Sequence, residues 1–105
     1  MVIIETSVFT RLIQKLLTDE EYAKLQADLV RRPDAGVIIA GSGGLRKLRW
    51  GLRGRGKRGG VRVIYYWAVS RDQLLMLLMY PKNVQDDLTP EQVQTLRRIV
   101  ETEYP

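Results

Sequence analysis

The chain has 105 residues, a formal net charge of +5, and 45% apolar and 28% charged residues. This length fits a single domain over residues 1–105, because so short a chain cannot divide into two good cores. Cysteine and histidine are both absent, which excludes disulfides, thiolate nucleophiles, Cys/His zinc sites and histidine-dependent ribonucleases or hydrolases.

The N-terminal third predicts one strand and a helical hairpin. Val2 to Glu5 is a short β-branched run, and Thr6 and Ser7 after it are candidate helix caps. Thr18 begins a T-x-x-E capping box and hence a second helix, which should end by Pro33. The expected core stripes, from three- and four-residue spacing, are Phe9, Leu12, Ile13, Leu16 and Leu17 in the first helix and Tyr22, Leu25, Leu29 and Val30 in the second.

The middle of the chain predicts three strands in an antiparallel meander. Residues 37–44 are expected to form a crossing connection, followed by strands at residues 45–50, 61–69 and 73–80. Ser70 to Asp72 supplies the turn between the last two strands.

Thr89 and Pro90 open a T-x-x-Q capping box with proline at the first helical position, so a C-terminal helix should run to about Glu103. Its expected core stripe is Val93, Leu96, Ile99 and Val100. The predicted fold class is therefore α+β, with a small antiparallel-rich sheet, an N-terminal helical hairpin and a C-terminal helix.

Positive charge is concentrated in the middle of the chain. No acidic residue occurs between Asp34 and Asp72, and the nine basic residues there are Arg46, Lys47, Arg49, Arg53, Arg55, Lys57, Arg58, Arg62 and Arg71. The remainder holds eight basic and twelve acidic residues. A basic centre on an acidic body is typical of a protein that binds a polyanion.

Alternation along the strands sorts the candidate site residues by face. Lys47 and Arg49 share one face of their strand, and Arg62 lies on the same face of its strand as Ile64 and Tyr66. Tyr80 and Lys82 are expected on one face of the third strand, beyond Leu74, Met76 and Leu78.

Each of these residues also has a purely structural interpretation. Arg62 could instead pair with an acid on the C-terminal helix, because a charge within a strand is costly unless it is paired or opens onto a cleft. Lys47 and Arg49 could be a solvated strand face, and Tyr80 a core-edge tyrosine with its hydroxyl in water.

The segment from Gly51 to Gly60 interleaves five glycines with Arg53, Arg55, Lys57 and Arg58. It lacks the order of a phosphate-binding P-loop. It favours a clamp on the RNA backbone, because Arg-Gly segments contact phosphates without base specificity. A flexible hairpin with solubilising charges is the alternative.

No signal peptide is predicted, since Met1 to Ile4 runs directly into Glu5, and no apolar run approaches the ~18 residues that span a bilayer. We therefore expect a cytoplasmic protein without membrane association.

The order of elements and three motifs resemble the RelE/HigB (ParE-like) toxin superfamily. The motifs are Leu45-Arg46-Lys47-Leu48-Arg49-Trp50, Gly59-Gly60-Val61-Arg62-Val63-Ile64-Tyr65-Tyr66 and Tyr80-Pro81-Lys82, with Asp87-Leu88-Thr89 ahead of the last helix. The resemblance covers nearly the whole chain. The strand motif around Arg62 carries most of its specificity.

The resemblance implies the toxin of a type II toxin-antitoxin system, a HigB-like ribosome-dependent mRNA endonuclease that needs no metal or other cofactor. Its partners would be a helix-turn-helix antitoxin of the HigA kind, the ribosome and mRNA. The implied catalytic set is Lys47, Arg62, Tyr80 and Lys82. RNA binding is expected of Arg46 and Arg49 in the first strand of the meander and, from the composition of the glycine-rich segment, of Arg53, Arg55, Lys57 and Arg58.

The roles implied are phosphate stabilisation by Arg62, activation of the RNA 2′-hydroxyl by Lys47 or Lys82, and orientation or leaving-group protonation by Tyr80. Two alternatives stay open from the sequence. One is a ParE-like toxin that inhibits gyrase, and the other is an RNA-binding module without catalysis.

Overall fold

The structure, a computed structural model, describes residues 1–51 and 60–105, and a five-stranded sheet lies at its centre. The strands are β1 (Val2–Glu5), β2 (Val37–Ile38), β3 (Leu45–Trp50), β4 (Val61–Ala68) and β5 (Gln73–Pro81). The helices are α1 (Ser7–Leu16), α2 (Asp19–Arg31) and α3 (Pro90–Glu103). The α+β prediction, with its helical hairpin and C-terminal helix, is confirmed.

The sheet has the strand order β1-β5-β4-β3-β2. Strands β3, β4 and β5 form the predicted antiparallel meander. Strand β1 lies at one edge of the sheet, parallel to β5, and the α1-α2 hairpin then carries the chain across the sheet to β2. Strand β2 pairs with β3 at the other edge, in a segment that was predicted to be only a connection.

Threonine caps fix the starts of all three helices, as the sequence predicted. The Thr6 hydroxyl accepts from the Phe9 N–H at 3.1 Å. Thr18 and Thr89 form complete capping boxes with Glu21 and Gln92, in which each side chain accepts from the other residue's backbone N–H. These short-range bonds satisfy donors that the first helical turn leaves open.

Each face of the sheet has its own core. The hairpin face, covered by α1 and α2, buries Phe9 and Leu25 against Val63, Tyr65 and other strand residues. The α3 face, covered by α3, buries Leu96 and Val100 against Leu45, Ile64, Leu75, Leu77 and Tyr80. The central strands are thus buried on both sides.

Two residues assigned to the core stripes lie in solvent instead. Val30 is 46% exposed and Ile99 is 38% exposed. The residue next to each of them in sequence, Leu29 and Val100 respectively, is buried. The part of each helix that contacts the sheet is therefore narrower than its stripe of apolar residues. The prediction that Val30 and Ile99 are buried was therefore wrong.

None of the helices in residues 1–51 and 60–105 is both long and apolar enough to cross a membrane.

Candidate nucleic-acid interface and active site

Strand register places three basic residues and a tyrosine on the α3 face. Arg62 lies directly opposite Arg49 on β3 and directly opposite Tyr80 on β5. Lys47 lies opposite Ile64, which belongs to the core of the same face. Directly opposed residues of antiparallel strands share a face. Lys47, Arg49 and Arg62, named here the cationic cluster, therefore lie together beside Tyr80.

A β-bulge in β5 sets the position of Tyr80. The pairing shifts between Ile64, which faces Leu78, and Tyr65, which faces Met76, so Leu77 is the extra residue. Leu74 and Met76 consequently pack in the hairpin-face core, whereas Tyr80 packs in the α3-face core. Simple alternation had grouped Tyr80 with Leu74 and Met76, and that grouping was wrong.

Arg62 is the most buried member of the cationic cluster, and its Nε donates to Asp86 Oδ1 at 2.9 Å. Asp86 lies in the segment between β5 and α3, so this partner is not on the C-terminal helix where the structural interpretation had placed it. The bond lowers the pKa of the Asp86 carboxyl, against a smaller opposing effect of burial. The charges of Arg62, Lys47 and Arg49 lower that pKa further, so Asp86 is a carboxylate at neutral pH.

Lys47 makes the second contact of this kind, through an ion pair between its Nζ and Asp87 Oδ1. Asp86 and Asp87, named here the acidic pair, thus contact two members of the cationic cluster. Their role was not predicted from the sequence. The available signal was weak, since it consisted of two adjacent acids just ahead of the Thr89 cap.

The Tyr80 hydroxyl donates to the backbone carbonyl of Asp86 at 2.9 Å, so it does not project into water as the structural interpretation had it. Burial raises the pKa of Tyr80, and the negative charge of Asp87 raises it further, while Arg62 acts in the opposite direction. The phenol therefore keeps its proton at neutral pH. It can donate a hydrogen bond or a proton, but it is a poor general base.

Two further predicted residues, Lys82 and Arg46, lie outside the cationic cluster. Lys82 is exposed in the turn after β5, where its N–H donates to the Gly60 carbonyl at 3.1 Å. Arg46 lies on the hairpin face, where it donates to the Gly36 carbonyl at 2.8 Å and its guanidinium lies 5.9 Å from the centroid of Trp67. Arg46 is thus separated from the cationic cluster by the sheet.

The four basic residues Arg53, Arg55, Lys57 and Arg58 lie outside the described residues. The points where the chain leaves and re-enters the sheet are described, because Trp50 pairs with Val61. Those two residues directly follow Arg49 and precede Arg62. The described residues on either side of this segment therefore lie next to Arg49 and Arg62.

An open groove of about 480 Å³ runs beside this cluster. It is lined by the charged residues Lys47, Arg49 and Asp87 and by apolar residues that include Val37 and Ile38. Its size falls within the ~300–1,000 Å³ range of small-ligand sites. Within residues 1–51 and 60–105, the acidic side chains form no group that could hold a metal ion.

Comparison with known proteins gives two findings. A family model described as the RelE toxin of the RelE/RelB toxin-antitoxin system matches residues 1–104. A solved structure of the E. coli toxin RelE, a double arginine-to-alanine mutant in the free state, superposes with a TM-score of 0.62. That match covers 93% of this chain and 96% of the other at 15% identity. At that identity, the superposition establishes the shared fold.

Proposed function

The chain belongs to the RelE family of toxins, and from that premise we propose that it cleaves mRNA on the ribosome and thereby inhibits translation. The observation that carries this proposal is the placement of Lys47, Arg49, Arg62 and Tyr80 side by side on one face of the sheet. Cations at this spacing suit a phosphodiester, and the tyrosine supplies a proton donor next to them.

The chemistry that fits a chain without histidine or cysteine uses the substrate's own nucleophile. The RNA 2′-oxygen attacks the adjacent phosphorus and loses its proton, the bond to the 5′-oxygen breaks, and that oxygen takes up a proton. The protein then has to hold the reacting groups in line and to stabilise the extra negative charge on the phosphorane. No metal ion is required for any of these steps.

Arg62 is assigned to the phosphorane charge. Its guanidinium is held by the strand pairing and is mostly removed from water, where a charge-assisted bond is stronger than in bulk solvent. Arg49 lies opposite on β3 and can bind the same phosphate or its neighbour. Both assignments predict that RNA affinity falls steeply with salt.

Tyr80 is assigned to the leaving 5′-oxygen, as a hydrogen-bond or proton donor, because its raised pKa keeps it protonated. Lys47 or Lys82 is assigned to activation of the 2′-hydroxyl. Lys47 lies within the cationic cluster, whereas Lys82 lies in the turn after β5. Substitution of each lysine by methionine, compared in single turnover, would separate the two assignments.

The partners proposed are those of a toxin-antitoxin pair. A cognate antitoxin would neutralise the toxin, and the ribosome with its mRNA would be the target. The HigB branch, and with it a helix-turn-helix antitoxin of the HigA kind, stays a prediction. A small helix-turn-helix protein encoded next to this chain would support it.

The test compares Arg62→Ala with Arg11→Ala on purified translating ribosomes. Arg11 is an exposed residue of α1, so its substitution removes the same charge from the far side of the protein. We expect wild type and Arg11→Ala to cut the mRNA, and Arg62→Ala to be slower by about 100- to 1,000-fold, the usual cost of removing one transition-state donor. Primer extension measures the cleavage.

Three outcomes would contradict the proposal in different ways. Equal cleavage by the two variants would remove Arg62 from the mechanism, provided that circular dichroism shows both folded. Gyrase inhibition by wild type without mRNA cleavage would select the ParE-like activity. Tight, salt-dependent RNA binding with intact mRNA would select an RNA-binding module.

A further inference from the structure

The acidic pair meets the cationic cluster in the geometry that a phosphate would need. Asp86 Oδ1 accepts from the Arg62 Nε, and Asp87 Oδ1 accepts from the Lys47 ammonium. A carboxylate oxygen and a non-bridging phosphate oxygen are interchangeable acceptors for these donors. Arg62, which is assigned to the scissile phosphate, and its neighbour Lys47 are therefore already engaged within the protein.

The two sides of these contacts differ in their exposure to water. The side chains of Arg62 and Lys47 are 9% and 15% exposed, whereas those of Asp86 and Asp87 are 56% and 81% exposed. The carboxylates thus lie on the outside of the cations, between them and the solvent. A phosphate that approaches from solvent must replace the carboxylates before it can contact either cation.

Replacement of the two carboxylates by a phosphate should require little free energy. Ion pairs with a solvent-exposed partner contribute little net stability, because water re-solvates the released charge. The segment that carries the acidic pair has only turn structure between Pro81 and Pro90. It is anchored at its far end by the Thr89 capping box and the bond from Gln85 to Gln92.

The same segment engages Tyr80. The phenol donates to the Asp86 carbonyl, so displacement of Asp86 would free that donor together with Arg62. One movement of the acidic pair would then release the phosphate-binding guanidinium, the ammonium of Lys47 and the proton donor at once.

We propose that Asp86 and Asp87 act as an internal substitute for the scissile phosphate, which RNA displaces when it binds. This inference rests on the proposed function for the identity of the displacing ligand. The acidic pair then sets how tightly the site binds phosphate, and it keeps the cations from binding polyanions weakly and non-specifically. Its effect belongs to substrate affinity, so it should change KM rather than kcat.

The first experiment needs no catalysis. Inorganic phosphate is titrated into the folded protein, and the Nε–H resonance of Arg62 is followed by NMR. We expect Asp86→Asn and Asp87→Asn to bind phosphate about fivefold more tightly than wild type, the order expected from removing one solvent-screened charge in contact with the site. The double variant should gain more than either single variant.

The matched control is Glu20→Gln. Glu20 is exposed on α2, on the hairpin face, so the variant has the same change in net charge without touching the site. Its phosphate affinity should stay within twofold of wild type. Variants of the acidic pair that bind phosphate no better than Glu20→Gln would overturn the inference.

The second experiment uses RNA. Binding is measured with a short strand whose 2′-hydroxyl is replaced by hydrogen, and cleavage is measured on ribosome-bound mRNA. We expect Asp86→Asn to bind the strand more tightly and to lower KM by a similar factor. A lower kcat with unchanged affinity would instead make Asp86 part of the reaction chemistry, which would also overturn the inference.

The two proposals fail separately. If wild type neither binds nor cleaves RNA, the proposed function fails, and the phosphate titration still decides whether the carboxylates compete for Arg62. If wild type cleaves mRNA but the phosphate and RNA affinities of Asp86→Asn match those of Glu20→Gln, the nuclease stands and the internal substitute is refuted.

Discussion

Replacement of Tyr65 by phenylalanine should destabilise the protein more than loss of one hydroxyl usually does. Tyr65 is fully buried in β4, and its hydroxyl donates to the Pro33 carbonyl at 2.6 Å while accepting from the Gly36 N–H at 2.9 Å. These two bonds tie the end of α2 and the approach to β2 onto the sheet. The variant removes both and leaves each backbone group without its partner.

The magnitude follows from the burial of those two groups. Gly36 is buried, so its N–H stays unsatisfied at a cost of about 1–3 kcal/mol. Pro33 is half-buried, and water can reach its carbonyl, so that loss should be about 0.5–1.5 kcal/mol. We expect a total of about 2–4 kcal/mol, a large share of the ~5–15 kcal/mol that stabilises a small domain.

Urea unfolding followed by circular dichroism measures this loss, with Tyr104→Phe as the control. The Tyr104 hydroxyl donates to Gln73 Oε1 at 2.9 Å, but both residues are half-buried, so water can replace that bond and the cost should stay under about 1 kcal/mol. If the two variants lose equal free energy of unfolding, and that free energy falls with urea concentration at the same slope in both, the reasoning from burial is refuted.

A companion change tests the same junction from the other side. A Cβ at Gly36 would lie 2.8 Å from Cε1 of the Tyr65 ring, closer than packed atoms allow. Gly36→Ala should therefore lower the free energy of unfolding in the wild-type background. It should lower it much less in the Tyr65→Phe background, where the ring can move away from the new Cβ. Additive losses would show that the ring stays in place.

Three further outcomes are expected. Thr89→Ala should cost about 1 kcal/mol in urea unfolding through loss of the helix cap, as should Thr18→Ala, and a loss below 0.3 kcal/mol in either would contradict the capping geometry. Tyr80→Phe should slow mRNA cleavage by about a hundredfold while leaving the fold intact, and undiminished cleavage would remove the phenol from the chemistry. Because Arg62 lowers the pKa of Asp86 in the folded state, the stabilisation from this pair is complete above pH of about 4 and is lost as pH falls through the lowered pKa. The difference in unfolding free energy between wild type and Asp86→Asn should therefore be constant from pH 5 to 8 and shrink in more acidic solution, and a constant difference at all pH values would exclude the carboxylate as its source.

The elements that could be predicted from the sequence are those specified by neighbouring residues. The capping boxes at Thr18 and Thr89 fix helix starts through bonds that span three residues, so a local pattern was sufficient. Alternation within β3 likewise grouped Lys47 with Arg49 correctly.

The arrangement of the candidate site depends on contacts that are distant in sequence. The grouping of Arg49 with Arg62 requires the register of β3 on β4, and that register is set by tertiary packing. Strand β2 was missed because it has only two residues, both exposed at the sheet edge. The role of Asp86 depends on a loop conformation, for which its own sequence neighbourhood gives no distinct pattern.

The pairing of β5 after its extra residue decides which face of the sheet the later residues occupy, and the candidate site depends on that face. Deletion of Leu77 would restore unbroken alternation and leave Tyr80 opposite Arg62, because the residues on both sides of the bulge already pair in register. One residue added between the bulge and Tyr80, without a second bulge, would instead turn the phenol to the side of the α1-α2 hairpin, and the proposed catalytic arrangement would be lost with all of its residues unchanged. Relatives of this toxin with one such added residue can be expected to present a different position of the strand opposite the guanidinium.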